Sequence, residues 1–196
     1  MKRVLVVFAH PKRDSFNFFI LKEIEKILYE KNVDYFVRDL YELNFDPVFR
    51  FEIDSIDVLE EQDHIRKSDL IIFIYPIWWG SMPAILKGYI DRVFSYGFAY
   101  SINENQESVP LLNGKKSVII STFGGEEKIY KQLSLEQAIK KINQHVIFEF
   151  CGIDVCDQFF IYNVKDKNKE ELQKKMDELK NKIEKILNDI SELEIR

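Results

Sequence analysis

LIIFIYPIWWGSMPAILKGYIDRVF, residues 70–94, is the stretch whose reading decides the fold. It begins with a continuous apolar run from Leu70 to Tyr75, bounded by Asp69 and Pro76. That length and those flanks fit a strand buried on both faces of a parallel sheet better than a helix. The chain then turns through Ile77, Trp78, Trp79 and Gly80 before a helix over residues 84–94. Ser81 stands where a cap for that helix belongs, and Pro83 near its first position, where a missing N–H costs little. Two tryptophans in a turn at the C-terminal end of a buried strand can cover a core or wall a ligand. In an open α/β sheet that edge is where ligands bind, and indoles beside the crevice favour a flat aromatic one.

Upstream, residues 4–9 form another continuous apolar run and read as a central first strand. HPKRD, residues 10–14, is a polar loop; Ser15, Phe16 and Asn17 then open a helical pattern carrying Ile20, Leu21, Ile24, Ile27 and Leu28, ended by Asn32. Residues 33–37 alternate as a second strand. Residues 39–51, DLYELNFDPVFRF, have no period and read as a long ordered loop, and residues 55–67 as a helix with Ile56, Leu59 and Ile65 inward.

Downstream, residues 95–113 look like an irregular insertion, and residues 117–123 like a fourth strand ending at Gly124 and Gly125. A helix is expected over residues 134–143, and residues 146–150 with 155–162 supply a fifth strand. In the tail, Leu172, Met176, Leu179, Ile183, Ile186, Ile190 and Leu193 recur at alternating spacings of 4 and 3, which predicts one amphipathic helix covering the sheet. Strands alternating with helices imply a doubly wound parallel sheet with helices on both faces. With five strands, the flavodoxin-like order 2-1-3-4-5 is the natural choice.

A chain of 196 residues with no repeat or linker reads as one domain with a substantial core. Its net charge of -5 argues against nucleic acid or an anionic membrane as the main partner. MKRVLVVFAHP superficially resembles a signal peptide, but its apolar run is only strand length and no small-residue cleavage site follows. No stretch reaches the length of a transmembrane helix, so a cytoplasmic protein without membrane insertion is expected. Cys151 and Cys156 lack the partners of a zinc site and read as packed thiols, so no metal is expected.

In such a sheet the loops after strands 1, 3 and 4 converge. Here they carry His10 to Asn17, Pro76 to Ser81, and Thr122 to Tyr130. A helix N-terminus with Ser15, Asn17, His10, Lys12 and Arg13 suits a phosphate, and Gly124 with Gly125 permits close backbone approach to a planar ligand. G-x-G-x-x-G and the Walker pattern are both missing, which argues against a dinucleotide-binding Rossmann dehydrogenase or a P-loop ATPase. An anion site, an aromatic wall and a glycine platform on one edge describe a flavin nucleotide site.

The set LVVFAHP…SFN, RDLYELNFDP, YPIWWGSMPAILKGYIDRVFSYGFAY, STFGG…Y and FCG resembles the NAD(P)H:quinone oxidoreductases of the diaphorase type, from Val4 to about Tyr162. The resemblance implies a two-fold homodimer that binds flavin (FAD, with FMN as the alternative) and passes hydride from NAD(P)H to quinone-like acceptors. By match, His10, Ser15, Phe16 and Asn17 contact the phosphates and ribityl chain. Pro76, Ile77, Trp78, Trp79, Thr122, Gly124 and Gly125 hold the ring system, and Tyr130 is the hydroxyl at the ring edge. Trp79 lines the substrate pocket with Tyr100 and Phe150, the last two from the partner subunit. The vertebrate pattern has a histidine six positions after the tyrosine; here Glu136 stands there and is expected to be a solvated helix residue. Related bacterial ancillary subunits of potassium-efflux systems share the Trp-containing loop, so a flavin-binding regulatory subunit is the alternative function.

Overall fold

The computed structural model describes residues 3–51, 55–165 and 169–192. Leu193, the last apolar position expected in the tail helix, lies outside them. In chain order the elements are β1 (Arg3–Phe8), α1 (Phe16–Glu30), β2 (Asp34–Asp39), α2 (Ile56–Arg66), β3 (Leu70–Pro76) and α3 (Ala84–Val93). There follow β4 (Tyr100–Ile102), β5 (Ser108–Pro110), β6 (Lys116–Thr122), α4 (Glu127–Gln132), α5 (Leu135–Lys141), β7 (Asp154–Ile161) and α6 (Lys169–Glu192). Five strands form one parallel sheet in the order β2-β1-β3-β6-β7. Counted along that sheet, this is the 2-1-3-4-5 order expected from the sequence.

The continuous apolar runs are explained by the two faces they serve. Successive side chains on a strand alternate. Leu5, Val7, Ile71, Phe73 and Ile119 therefore join Leu86, Tyr89 and Phe94 on one face. Val4, Val6, Phe8, Ile72 and Ile120 join Ile20 and Ile24 of α1 with Met176, Leu179 and Ile183 of α6 on the other. The tail helix thus covers the sheet. It is tied to α1 by Lys180 to Glu23, and its Glu184 lies 3.1 Å from Lys31 just past α1.

Four expectations are corrected. In α2, Ile56 and Leu59 point outward and the buried face is Val58, Glu61, Gln62 and Ile65. Burial of Glu61 is sustained by Arg38, whose guanidinium approaches its Oε1 to 2.5 Å, so a polar pair occupies what the apolar pattern would reserve for carbon. The insertion at residues 95–113 contains an antiparallel hairpin, β4 with β5. The helix expected over residues 134–143 is preceded by a second one, and the two meet at Ser134 in a left-handed conformation (φ 54°). Finally, residues 146–150 belong to no strand. A π-helical segment, Ile142–Phe148, and a 3-10 turn, Glu149–Cys151, occupy them. There the Asn143 amide donates to the Tyr75 hydroxyl and to Gln158 Oε1, each at 3.1 Å, while Phe148 packs 4.9 Å from Phe73. Holding both side chains against the sheet fits a wider helical turn, and π-turns of this kind are rare elsewhere.

Candidate functional site

The C-terminal ends of β1, β3 and β6 open onto a cleft of about 570 Å³. Its walls are His10, Pro11, Lys12, Ser15, Phe16, Asn17, Pro76, Ile77, Trp78, Trp79, Thr122, Gly124, Tyr130, Val164 and Lys165. The three loops singled out from the sequence therefore do share one cleft, of a size usual for a cofactor.

At one end stands the N-terminus of α1. Ser15 Oγ accepts from the Phe18 amide at 3.1 Å, as an N-cap should. The amides of Phe16 and Asn17, at the first two helical positions, have no intrahelical acceptor and sit at the positive end of the helix dipole. No acidic residue stands in that first turn to occupy them. Beside them His10 Nδ1 lies 3.0 Å from the Lys12 amide nitrogen and 3.2 Å from the Lys12 carbonyl oxygen, so the loop folds back onto the ring. Burial pushes the His10 pKa below its usual value, outweighing the Lys12 carbonyl and Asp14.

Deeper in, Asn17 is buried and donates to Thr122 Oγ1 at 2.7 Å, which welds α1 to the end of β6. Asn17 Oδ1 is buried with no hydrogen-bond partner among the described residues. An acceptor so placed is costly unless a ligand supplies a donor.

The tryptophan turn is a two-residue hairpin. Trp78 and Ser81 exchange backbone hydrogen bonds of 2.9 and 3.0 Å, and Trp79 and Gly80 between them both have positive φ, 51° and 77°. That is a type I′ turn, whose geometry needs left-handed residues at both central positions. Ser81 closes this turn and does not cap α3; the cap position is Pro83, with no side-chain bond. The Trp78 ring packs 5.9 Å from that of His10, and Trp79 stands fully exposed on the rim.

Opposite lies the strand end Thr122–Gly124. A Cβ on Gly124 would meet nothing closer than Lys165 Cε at 3.8 Å, so the backbone there faces open space. Gly125 sits behind the cleft wall: its own Cβ would fall 3.3 Å from the Tyr130 hydroxyl, so its smallness lets that ring lie down. Tyr130 is half-buried at the edge of the cleft, edge-on to Phe123 at 4.5 Å. Its hydroxyl makes no hydrogen bond to another described residue.

Tyr100 and Phe150 lie outside this chain's own cleft. They pack on each other at 5.1 Å, with Phe150 and the neighbouring Tyr96 exposed. Glu136 is not solvated: it accepts from the Tyr162 hydroxyl and from Lys140, each at 2.7 Å. Sequence reading missed Val164 and Lys165, which reach the cleft because the chain turns past β7 at a left-handed Asn163 (φ 52°), with Asn163 donating to the Gly125 carbonyl and Val164 to the Phe123 carbonyl. The only available signal was the position of VKDK just after the last strand.

Over residues 2–186 the chain matches the flavodoxin-like fold family, and it belongs to that family. An uncharacterized NAD(P)H oxidoreductase of Haemophilus influenzae is 42% identical over 159 residues, which span 76% of this chain and 78% of the relative. The ribosyldihydronicotinamide dehydrogenase (quinone) of Mus musculus is 32% identical, with 89% of this chain and 87% of the relative covered. The solved NAD(P)H:quinone oxidoreductase of Methanothermobacter marburgensis superposes with a TM-score of 0.81 at 26% identity, over 92% of this chain and 94% of that one. With these relatives the protein is an oxidoreductase of the NAD(P)H dehydrogenase (quinone) type.

Proposed function

We propose that the cleft holds a flavin nucleotide and that the protein passes hydride from NAD(P)H through it to quinones or similar two-electron acceptors. The observation that carries this reading is the meeting, in one cleft, of the open amide end of α1, the buried unpartnered Asn17 Oδ1 and the Trp78–Trp79 turn. These fit a ligand with an anionic end, hydroxyl or N–H donors in the middle and a flat aromatic end.

The amides of Phe16 and Asn17, with His10 and Lys12 beside them, bind the phosphate; Asn17 Oδ1 and the Thr122 hydroxyl meet the polar groups behind it. Ile77, Trp78 and Gly124 enclose the ring system and exclude water from it. A bound flavin supplies the hydride chemistry, while the protein supplies orientation and charge stabilisation. Tyr130 donates its phenolic proton to the negative charge that develops at the ring edge, an interaction strengthened where water is excluded. The reading extends to a cytoplasmic homodimer in which Tyr100 and Phe150 complete the partner's substrate pocket beside Trp79.

Purified protein is expected to be yellow, and heating it should release one flavin per chain. Identifying that flavin separates FAD, which the sequence resemblance favours, from FMN. Reconstitution followed by protein fluorescence is the direct check. Binding of both flavins weaker than roughly 10 μM, poor for a resident cofactor, would refute the reading.

A further inference from the structure

Tyr130 reaches the cleft from a segment with little to hold it. Helix α4 has no buried residue, and in α5 only Ile139 is buried. Between them Ser134 takes a left-handed backbone without a side-chain cap. For a serine that conformation is mildly unfavourable, so the junction does not itself fix how the two short helices lie.

What faces the segment is the chain just past β7. Tyr162 is 6% exposed, and its ring stacks on Phe123 at 4.6 Å and lies 5.7 Å from Tyr130. Phe123 in turn touches Tyr130 at 4.5 Å, so three rings fix one another's tilt. The Tyr162 hydroxyl donates to Glu136 Oε2 at 2.7 Å, while Lys140 holds Oε1 at the same distance. Burial works to raise the Glu136 pKa, but the bonds from Lys140 and Tyr162 outweigh it and hold it below the usual value. The acceptor is therefore a carboxylate, and hydrogen bonds to an ionised acceptor are the strong kind. A second tie, from Gln158 Nε2 to the Lys140 carbonyl at 3.0 Å, fastens the far end of α5. Nearest Tyr130, the polar tie between segment and sheet is Glu136 with Tyr162.

We propose that Glu136 and Tyr162 are positioning residues for Tyr130: the bond between them holds α4 and α5 down, and with them the Tyr130 ring at the edge of the cleft. Neither residue is among the walls of that cleft. They act through the segment and the ring stack. The consequence for turnover rests on the reading that Tyr130 serves the bound flavin, whereas the hold on the segment does not.

Two measurements on the flavin-loaded protein separate these levels. In Tyr162→Phe and in Glu136→Leu, amide hydrogen exchange over residues 127–141 should quicken about tenfold to a hundredfold, the loss expected for one charge-assisted bond. Amides of β1 and β3 should not change. Glu136→Gln keeps an oxygen that can accept from the phenol and should retain most of the protection. Stopped-flow flavin reduction should slow several-fold in Tyr162→Phe and Glu136→Leu, and this slowing should vanish when either change is combined with Tyr130→Phe. Unaltered exchange over residues 127–141 would overturn the hold itself, whatever the kinetics. Slowing that persists in the Tyr130→Phe background would overturn the positioning of Tyr130. If Tyr130→Phe alone leaves reduction unchanged, the catalytic reading of Tyr130 fails while the exchange result still judges the tie.

Discussion

Trp79 holds a backbone conformation (φ 51°) that a bulky side chain adopts at a cost of order 1 kcal/mol, and it does so with its indole wholly in solvent. Neither packing nor turn chemistry explains it, since a type I′ turn prefers asparagine before glycine. Strain kept without structural return points to a ligand. Trp79→Asn should therefore raise the stability of the ligand-free protein in urea unfolding by about 0.5–1 kcal/mol and weaken flavin or acceptor binding. Unchanged affinity for both would remove Trp79 from the site. On the proposed reading, Tyr130 bears on rate instead. Tyr130→Phe should slow flavin reduction by roughly 10- to 100-fold, less than the loss of a dedicated oxyanion donor; an unchanged stopped-flow rate would exclude the hydroxyl. His10 sets a pH dependence. Its pKa lies below the ordinary 6.5 because of burial, so the unfolded chain binds the proton more readily. The contribution of neutral His10 to stability is thus present above about pH 6.5 and lost as pH falls through the lower folded value. An anion bound beside the ring reverses the preference. Sulfate, which keeps its charge over this range, should bind more tightly from pH 7.5 to about 5.5, and His10→Gln should flatten that trend.

Helix α3 shows how an element answers to its neighbours. Gly88 lies mid-helix, where alanine would be favoured by about 1 kcal/mol on propensity alone. A Cβ there would fall 2.2 Å from the Pro47 carbonyl oxygen, inside the loop between β2 and α2. Backbone cannot step aside cheaply, so the clash outweighs the propensity. Gly88→Ala should destabilise the protein by about 1–3 kcal/mol, and a gain in the midpoint of urea unfolding would show that the loop yields. Next to it Arg92 fastens the same loop, donating to the Asp46 carbonyl at 2.6 Å and to both Asp57 oxygens at 2.6 and 3.0 Å. Elements like the residue 70–76 run were legible because a strand buried on both faces needs apolar residues at every position, and few other structures do. The residue 142–151 region was not legible. VIFEF, residues 146–150, has the composition of a strand, yet a long-range bond from Asn143 to Tyr75 draws it into a wide helical turn. Ser81 misled for a similar reason: a cap and the last residue of a tight turn look alike until Trp79 and Gly80 show positive φ. The candidate cleft was largely readable because topology alone brings the ends of β1, β3 and β6 together. Lys165 was hidden because its approach depends on the left-handed turn at Asn163 past β7, and Glu136 because its partner Tyr162 is 26 residues away.

Taken as one molecule, the chain leaves apolar surface that its own core does not use. Tyr96 is 54% exposed, Phe150 41%, Leu111 42%, Ile102 47% and Val146 65%. They lie on β4, the turn before it, the residue just past β5 and the helical segment after α5, with ring contacts joining Tyr100 to Tyr96 and Phe150. A second group, Val48, Phe49, Phe51 and Ile56, stands on the loop that Gly88 admits and the start of α2. Single exposed apolar residues are ordinary, but clusters of this kind mark interfaces. The conflict is with solubility: a monomer would present these rings to water, whereas an interface of about 1,600 Å² would cover them. If the partner is a second copy, symmetry makes each face meet its own counterpart, and Tyr100 and Phe150 can border the cleft of the other subunit. The expected outcome is a dimer by light scattering at micromolar concentration. Phe150→Asp should weaken it, since an unpaired charge at an interface centre is costly, and should lower acceptor turnover more than flavin binding. Phe150→Leu, which keeps the apolar contact, should remain dimeric. Full turnover by a monomer, or a dissociated Phe150→Asp variant with undiminished acceptor turnover, would show that each cleft works alone.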